Sequence, residues 1–101
     1  MNAELLEQFD KCRKNLITSL EKFVKKSANS EVFLRSDDGF VIVRDETIVT
    51  EYFRRLFLKD NVLYVEYEEG EGFKPDNFEY YEEEIELFSL NEIYEIIQCI
   101  S

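Results

Sequence analysis

The chain has 101 residues, of which 45 % are hydrophobic and 35 % charged, with 12 basic against 23 acidic side chains. That length fits one domain over residues 1–101 with enough apolar side chains for its own core. The absence of His excludes Ser-His and Cys-His nucleophile systems and His-based metal sites, and two cysteines are too few for a four-cysteine zinc site.

No apolar run reaches the roughly 18 residues that span a membrane. The start, Met1-Asn2-Ala3-Glu4, lacks the early positive charge and apolar stretch of a secretory signal, so a cytoplasmic protein is expected. In a reducing compartment Cys12 and Cys99 read as two small buried hydrophobes rather than a disulfide. The three glycines, at 39, 70 and 72, fit neither a P-loop nor a dinucleotide fingerprint.

In chain order, residues 3–27 read as one amphipathic helix. Leu5, Leu6, Phe9, Cys12, Leu16, Ile17, Leu20, Phe23 and Val24 recur at steps of three and four, and this stripe is expected to lie on a sheet. Asn2 is the expected N-cap. Glu4, Glu7 and Asp10 stand early and Lys22, Lys25 and Lys26 late, in the order that suits the helix dipole. With Lys11, Arg13 and Lys14, those lysines give the helix a basic outer face.

A hairpin is expected next, with Glu31–Ser36 extended, Asp37-Asp38-Gly39 as its turn, and Phe40–Arg44 as a strand covered on both faces. Residues 45–58 carry two signals. Ile48, Val49, Tyr52, Phe53, Leu56 and Phe57 recur every four residues, as in a helix, whereas the residue types favour a strand. The turn Lys59-Asp60-Asn61 and the alternation of Val62–Glu68 decide for a strand over Tyr52–Leu58, with room for a helical turn at 46–50. Residues 69–78 read as a loop. Glu79–Leu87 reads as an extended edge strand with Tyr81, Ile85 and Leu87 on one face and Glu82, Glu84 and Glu86 on the other.

Ser89-Leu90-Asn91-Glu92 has the form of a capping box opening a second helix to about Ile100. Its expected apolar face is Leu90, Ile93, Tyr94, Ile97 and Ile100, with Phe88 stapled to Ile93. The fold class is therefore α+β: an N-terminal helix, an antiparallel sheet of four to five strands and a C-terminal helix, with the helices on one face of the sheet.

Charge carries the functional signal. Residues 1–60 hold 11 basic and 11 acidic side chains, while residues 61–101 hold one lysine and 12 acids. Such a field disfavours nucleic acid and anionic membranes and attracts basic surfaces. Tyrosines interleave with the acids, and Tyr suits interfaces because its ring face attracts Lys and Arg. The expected function is a non-catalytic protein-interaction module of inhibitor, immunity or DNA-mimic type, docking a basic protein through residues 66–86. The candidate partner-binding residues are Tyr64, Glu66, Tyr67, Glu68, Glu69, Glu79, Tyr80, Glu82, Glu84 and Glu86. No cofactor and no catalytic residue is indicated. One alternative is a homo-oligomeric structural protein, possible as a homodimer built through an edge strand or a Tyr/Phe patch. Another is divalent-metal binding by the Glu82-Glu83-Glu84 run, although neighbours on a strand point to opposite faces. Glu68–Glu79 has the length of an EF-hand loop but Gly70 and Phe73 at positions that need an acid and a glycine.

Overall fold

A computed structural model describes residues 3–72 and 77–100. Helix α1 is Ala3–Lys26, and a 3-10 turn at Ala28–Ser30 leads into the sheet. The strands are β1 Glu31–Phe33, β2 Phe40–Arg44, β3 Thr47–Lys59, β4 Val62–Glu71 and β5 Glu79–Glu84. A second 3-10 turn, Ile85–Leu87, precedes helix α2, Leu90–Gln98. All strand pairs are antiparallel, so the fold is α+β as expected from the sequence. The expected N-cap Asn2 and residues 73–76 of the expected loop lie outside the described residues.

The 13-residue β3 organises the sheet. Its C-terminal half pairs with β1, its N-terminal half with β2, and nearly its whole length with β4, which then pairs with β5. β1 and β2 therefore lie end to end along one side of β3 and do not form the expected hairpin with each other. β2 is an edge rather than a covered strand, with Val41 49 % and Val43 70 % exposed. Gly39 makes this layout possible. It sits at φ +69°, and a Cβ there would come within 2.7 Å of Thr50 Cγ2.

No helical turn forms at 46–50. Asp45 and Glu46, at φ 48° and 65°, make a two-residue turn that returns β2 directly into β3. Asp60 and Asn61, at φ 52° and 66°, do the same between β3 and β4, where the turn was expected. Positive φ at both central residues matches the right-handed twist of the strands they join.

The register between β3 and β4 shifts at Arg54, a bulge that lets Phe53 and Leu56 both face inward. The other face holds Tyr52 and Phe57. Two apolar faces and a parity shift together produce the four-residue recurrence that resembles a helix.

Both helices pack on one face of the sheet. Ile17, Leu20 and Val24 of α1 and Ile93 and Ile96 of α2 meet Phe53, Leu56, Leu63, Val65 and Tyr67 in a single core, closed by Ile85, Phe88 and Cys99. Phe53 has no exposed surface and lies within 6.3 Å, centroid to centroid, of Phe40, Tyr67 and Phe88. The capping box is present as read: Ser89 Oγ accepts from the Glu92 amide at 3.2 Å, and Glu92 accepts from the Ser89 amide at 3.1 Å.

Several apolar expectations change sides. Only the second half of α1 meets the sheet. Leu5, Leu6 and Phe9 are 62 %, 49 % and 48 % exposed, and Cys12 is exposed rather than buried. Cys99 is buried, and both cysteines are free thiols. In α2, Ile96 takes the core place expected of Tyr94, which is exposed. The extended segment expected to reach Leu87 ends at Glu84, and the 3-10 turn swings Leu87 into solvent. Arg13 anchors α1 to this turn by donating to the Glu86 carbonyl at 2.6 Å.

Candidate protein interaction surface

Alternation along β4 and β5 divides the ten candidate residues between two faces. On the open face, away from the helices, Tyr64 stands opposite Glu84, Glu66 opposite Glu82, and Glu68 opposite Tyr80. On the helix side, Tyr67 stands opposite Tyr81 and Glu69 opposite Glu79. Glu86 lies beyond the strand, in the 3-10 turn. Tyr67 is only 3 % exposed and belongs to the core, so it offers nothing to a partner.

Not all the acids are free for one. Glu66 binds Arg55 at 2.7 Å, and Arg55 also binds Glu31 at 2.7 Å. Glu68 binds Arg54 at 3.1 Å. The guanidinium groups of Arg54 and Arg55 lie over the rings of Tyr52 and Phe57. Glu69 is drawn to the helix side by Arg44 at 3.3 Å. The β3 arginines thus neutralise the middle of the sheet, and the acidic surplus moves outward to β5.

Among the described residues, Glu79, Glu82, Glu83 and Glu84 form no ion pair. Three of them instead accept from a tyrosine hydroxyl: Tyr81 donates to Glu79, Tyr80 to Glu82 at 2.8 Å and Tyr64 to Glu84 at 3.4 Å. Glu83 stands opposite Val65, on the helix side. The hydrogen bond to Glu79, with some desolvation, pushes the Tyr81 hydroxyl up to about 12. Desolvation and neighbouring carboxylates raise Tyr67 and Tyr80 as well. The raised hydroxyls of Tyr80 and Tyr81 stay neutral at physiological pH, so they hold Glu82 and Glu79 in place without cancelling their charge. Like charges set directly across strands oppose folding, as at Glu66–Glu82 and Glu69–Glu79.

Beside the acids stand exposed rings: the candidate Tyr80, and Phe78, which has no sequence signal of its own. Phe78, 51 % exposed, meets Tyr52 edge-on at 5.6 Å, and Tyr80 is 55 % exposed. Tyr52, Arg54 and Arg55 belong to the same face. The turn register locates one of them: once Asp60-Asn61 fixes the hairpin, Arg55 falls opposite Glu66, whereas Tyr52 reaches Glu68 only through the bulge at Arg54.

A second charged cluster lies on the helix side. Arg44 binds Glu51 at 2.6 Å and Glu92 at 3.0 Å. The Glu51 side chain has no exposed surface, and its Oε2 has no hydrogen-bond partner. Desolvation, opposed by Arg44, pushes its carboxyl up to about 7. A carboxyl titrating near neutrality is suited to proton transfer, but Glu51 is sealed from any substrate. Among the described residues, no group of three or more metal-ligating side chains is placed to hold an ion. No helix among them is long and apolar enough to cross a membrane.

Comparison with known proteins finds no matching family model, no matching curated protein and no matching solved structure.

Proposed function

We propose that this protein is a non-catalytic interaction module that docks a basic protein surface on β5 and the adjoining open face of β4. The observation that carries the reading is the set of β5 glutamates, Glu82 and Glu84 on the open face and Glu79 and Glu83 on the helix side, which form no ion pair among the described residues and three of which are held by tyrosine hydroxyls. Lys or Arg side chains from a partner would relieve the like-charge pairs across β4 and β5. Phe78 and Tyr80 would add ring contacts to the same cations and to apolar neighbours. Among the described residues β5 pairs only with β4, which leaves its outer edge for main-chain pairing as well. A partner that normally binds a polyanion, blocked here by the acidic row, is the inhibitor- or immunity-type form of the same reading.

The test is an NMR titration with an arginine- and lysine-rich peptide. Saturable shifts confined to β5, Tyr64, Glu66 and Glu68, and lost on Glu82→Lys with Glu84→Lys, are expected. Shifts spread over the whole acidic surface, or unchanged in that variant, would overturn it.

A further inference from the structure

Helix α1 carries two stripes of mainly apolar residues; the fold buries one and takes Leu16 of the other partly against the core. Ile17, Leu20 and Val24 are buried against the sheet. The other runs Leu5, Phe9, Cys12, Leu16, Ser19, Phe23, in alternating steps of four and three. That spacing is the repeat by which two helices pack along a common seam. The seam covers about 27 Å at 1.5 Å per residue. It faces outward: Phe9 is 48 % and Phe23 44 % exposed, and Cys12 and Ser19 are exposed too. Between it and α2 runs an apolar groove of about 340 Å³ lined by Leu16, Ser19, Leu20, Phe23, Ile97 and Ile100.

We infer that a second copy of this chain covers the seam, forming an antiparallel α1–α1 pair about a two-fold axis near Lys14. Two features of the helix select this occupant and this orientation. The first is charge. Residues 4–10 carry Glu4, Glu7 and Asp10 with no base, and residues 22–26 carry Lys22, Lys25 and Lys26 with no acid. A parallel pair sets like charges side by side along its whole length. An antiparallel pair sets the acidic end of each helix beside the basic end of the other, and it opposes the two helix dipoles.

The second feature is size. In the antiparallel register about Lys14, Phe9 falls opposite the partner's Ser19 and Cys12 opposite the partner's Leu16. These two central pairs each set a large side chain against a small one, as close packing favours, and Leu5 faces the partner's Phe23 at either end. The flanking Gln8 and Asn15 are uncharged and set no repulsion across the axis. Such an isologous contact closes on itself and leaves β5 of both copies open.

The test is molar mass by sedimentation equilibrium over a range of concentrations, with a cross-link to read orientation. The wild-type protein is expected to reach twice its 12.1 kDa chain mass. Phe9→Glu is expected to return it to the single-chain mass with unchanged far-UV circular dichroism, because Phe9 is outside the core. Leu16→Cys, oxidised in the presence of the native Cys12, is expected to give a covalent dimer under non-reducing electrophoresis, whereas oxidised wild-type protein gives none. The cross-link reads the seam even if Phe9→Glu perturbs the helix. A wild-type mass that stays at one chain at every concentration would overturn the inference. So would a dimer that survives Phe9→Glu, or a Cys12–Cys12 cross-link in the wild type, which reports parallel helices or another contact.

Discussion

Glu51 gives the sharpest prediction about stability. Its carboxyl is raised from the ordinary 4.5 to about 7, chiefly by desolvation, with Arg44 pulling the other way. The native state therefore keeps a proton that the unfolded chain has lost between those two values. The stability this supplies is complete below pH 4.5 and disappears as pH rises through 7. At about 1.4 kcal/mol per tenfold change in proton affinity, the difference across this window is about 3 kcal/mol. Glu51→Gln is neutral at every pH and lacks this dependence, and Glu95 and the other carboxyls are common to both proteins. Urea unfolding followed by circular dichroism, since the chain has no Trp, should be measured for both proteins from pH 4.5 to 8. The stability of the wild type relative to Glu51→Gln should fall by about 3 kcal/mol between pH 4.5 and 7 and then level off. In a domain this size such a change moves Tm by roughly 10 °C or more. Parallel pH profiles for the two proteins would refute a buried, proton-holding Glu51.

Other substitutions test the fold. Gly39→Ala combines positive φ with a Cβ 2.7 Å from Thr50 Cγ2, so it should lower the unfolding free energy by more than about 1 kcal/mol in urea titration. Ser89→Ala removes the Oγ that caps α2 and should cost about 1 kcal/mol by the same assay. Phe53→Ala empties the centre of the aromatic core and should cost about 3 to 5 kcal/mol, read as a lower urea midpoint.

The elements legible from sequence were those whose signals are local. Ser89 and Glu92 announce the start of α2 with two side chains and a fixed spacing. Leu63, Val65 and Tyr67 alternate with Tyr64, Glu66 and Glu68 because only one face of β4 enters the core. β3 was harder to read because Tyr52 and Phe57 make its second face aromatic and Arg54 shifts its parity. The Asp45-Glu46 turn was hidden because neither residue is the Gly or Asn that usually marks positive φ. Adjacency in sequence points to β1 and β2 as mutual partners, whereas β3 is long enough to pair with both.

The candidate surface was legible in its charge and not in its pairing. Composition places the acids at the C-terminal end of the chain, but strand register returns Glu66, Glu68 and Glu69 to Arg55, Arg54 and Arg44. Only the fold separates those from the β5 row. The α1 stripe raised the opposite difficulty. Its apolar residues were plain in the sequence, but one helix cannot turn two stripes to one sheet, and the spacing alone does not say which stripe the sheet receives.

The central claim is that the β5 glutamates dock a basic protein. Its most direct measurement is affinity capture from the source cell lysate at low and high salt, read by mass spectrometry. The wild-type protein should be run beside a variant with Glu79, Glu82, Glu83 and Glu84 changed to Gln and an unchanged circular dichroism spectrum. A basic protein held by the wild type at low salt, released at high salt and absent from the variant is expected. Equal capture by the two proteins, a bound protein indifferent to salt, or recovery of this chain alone would contradict it.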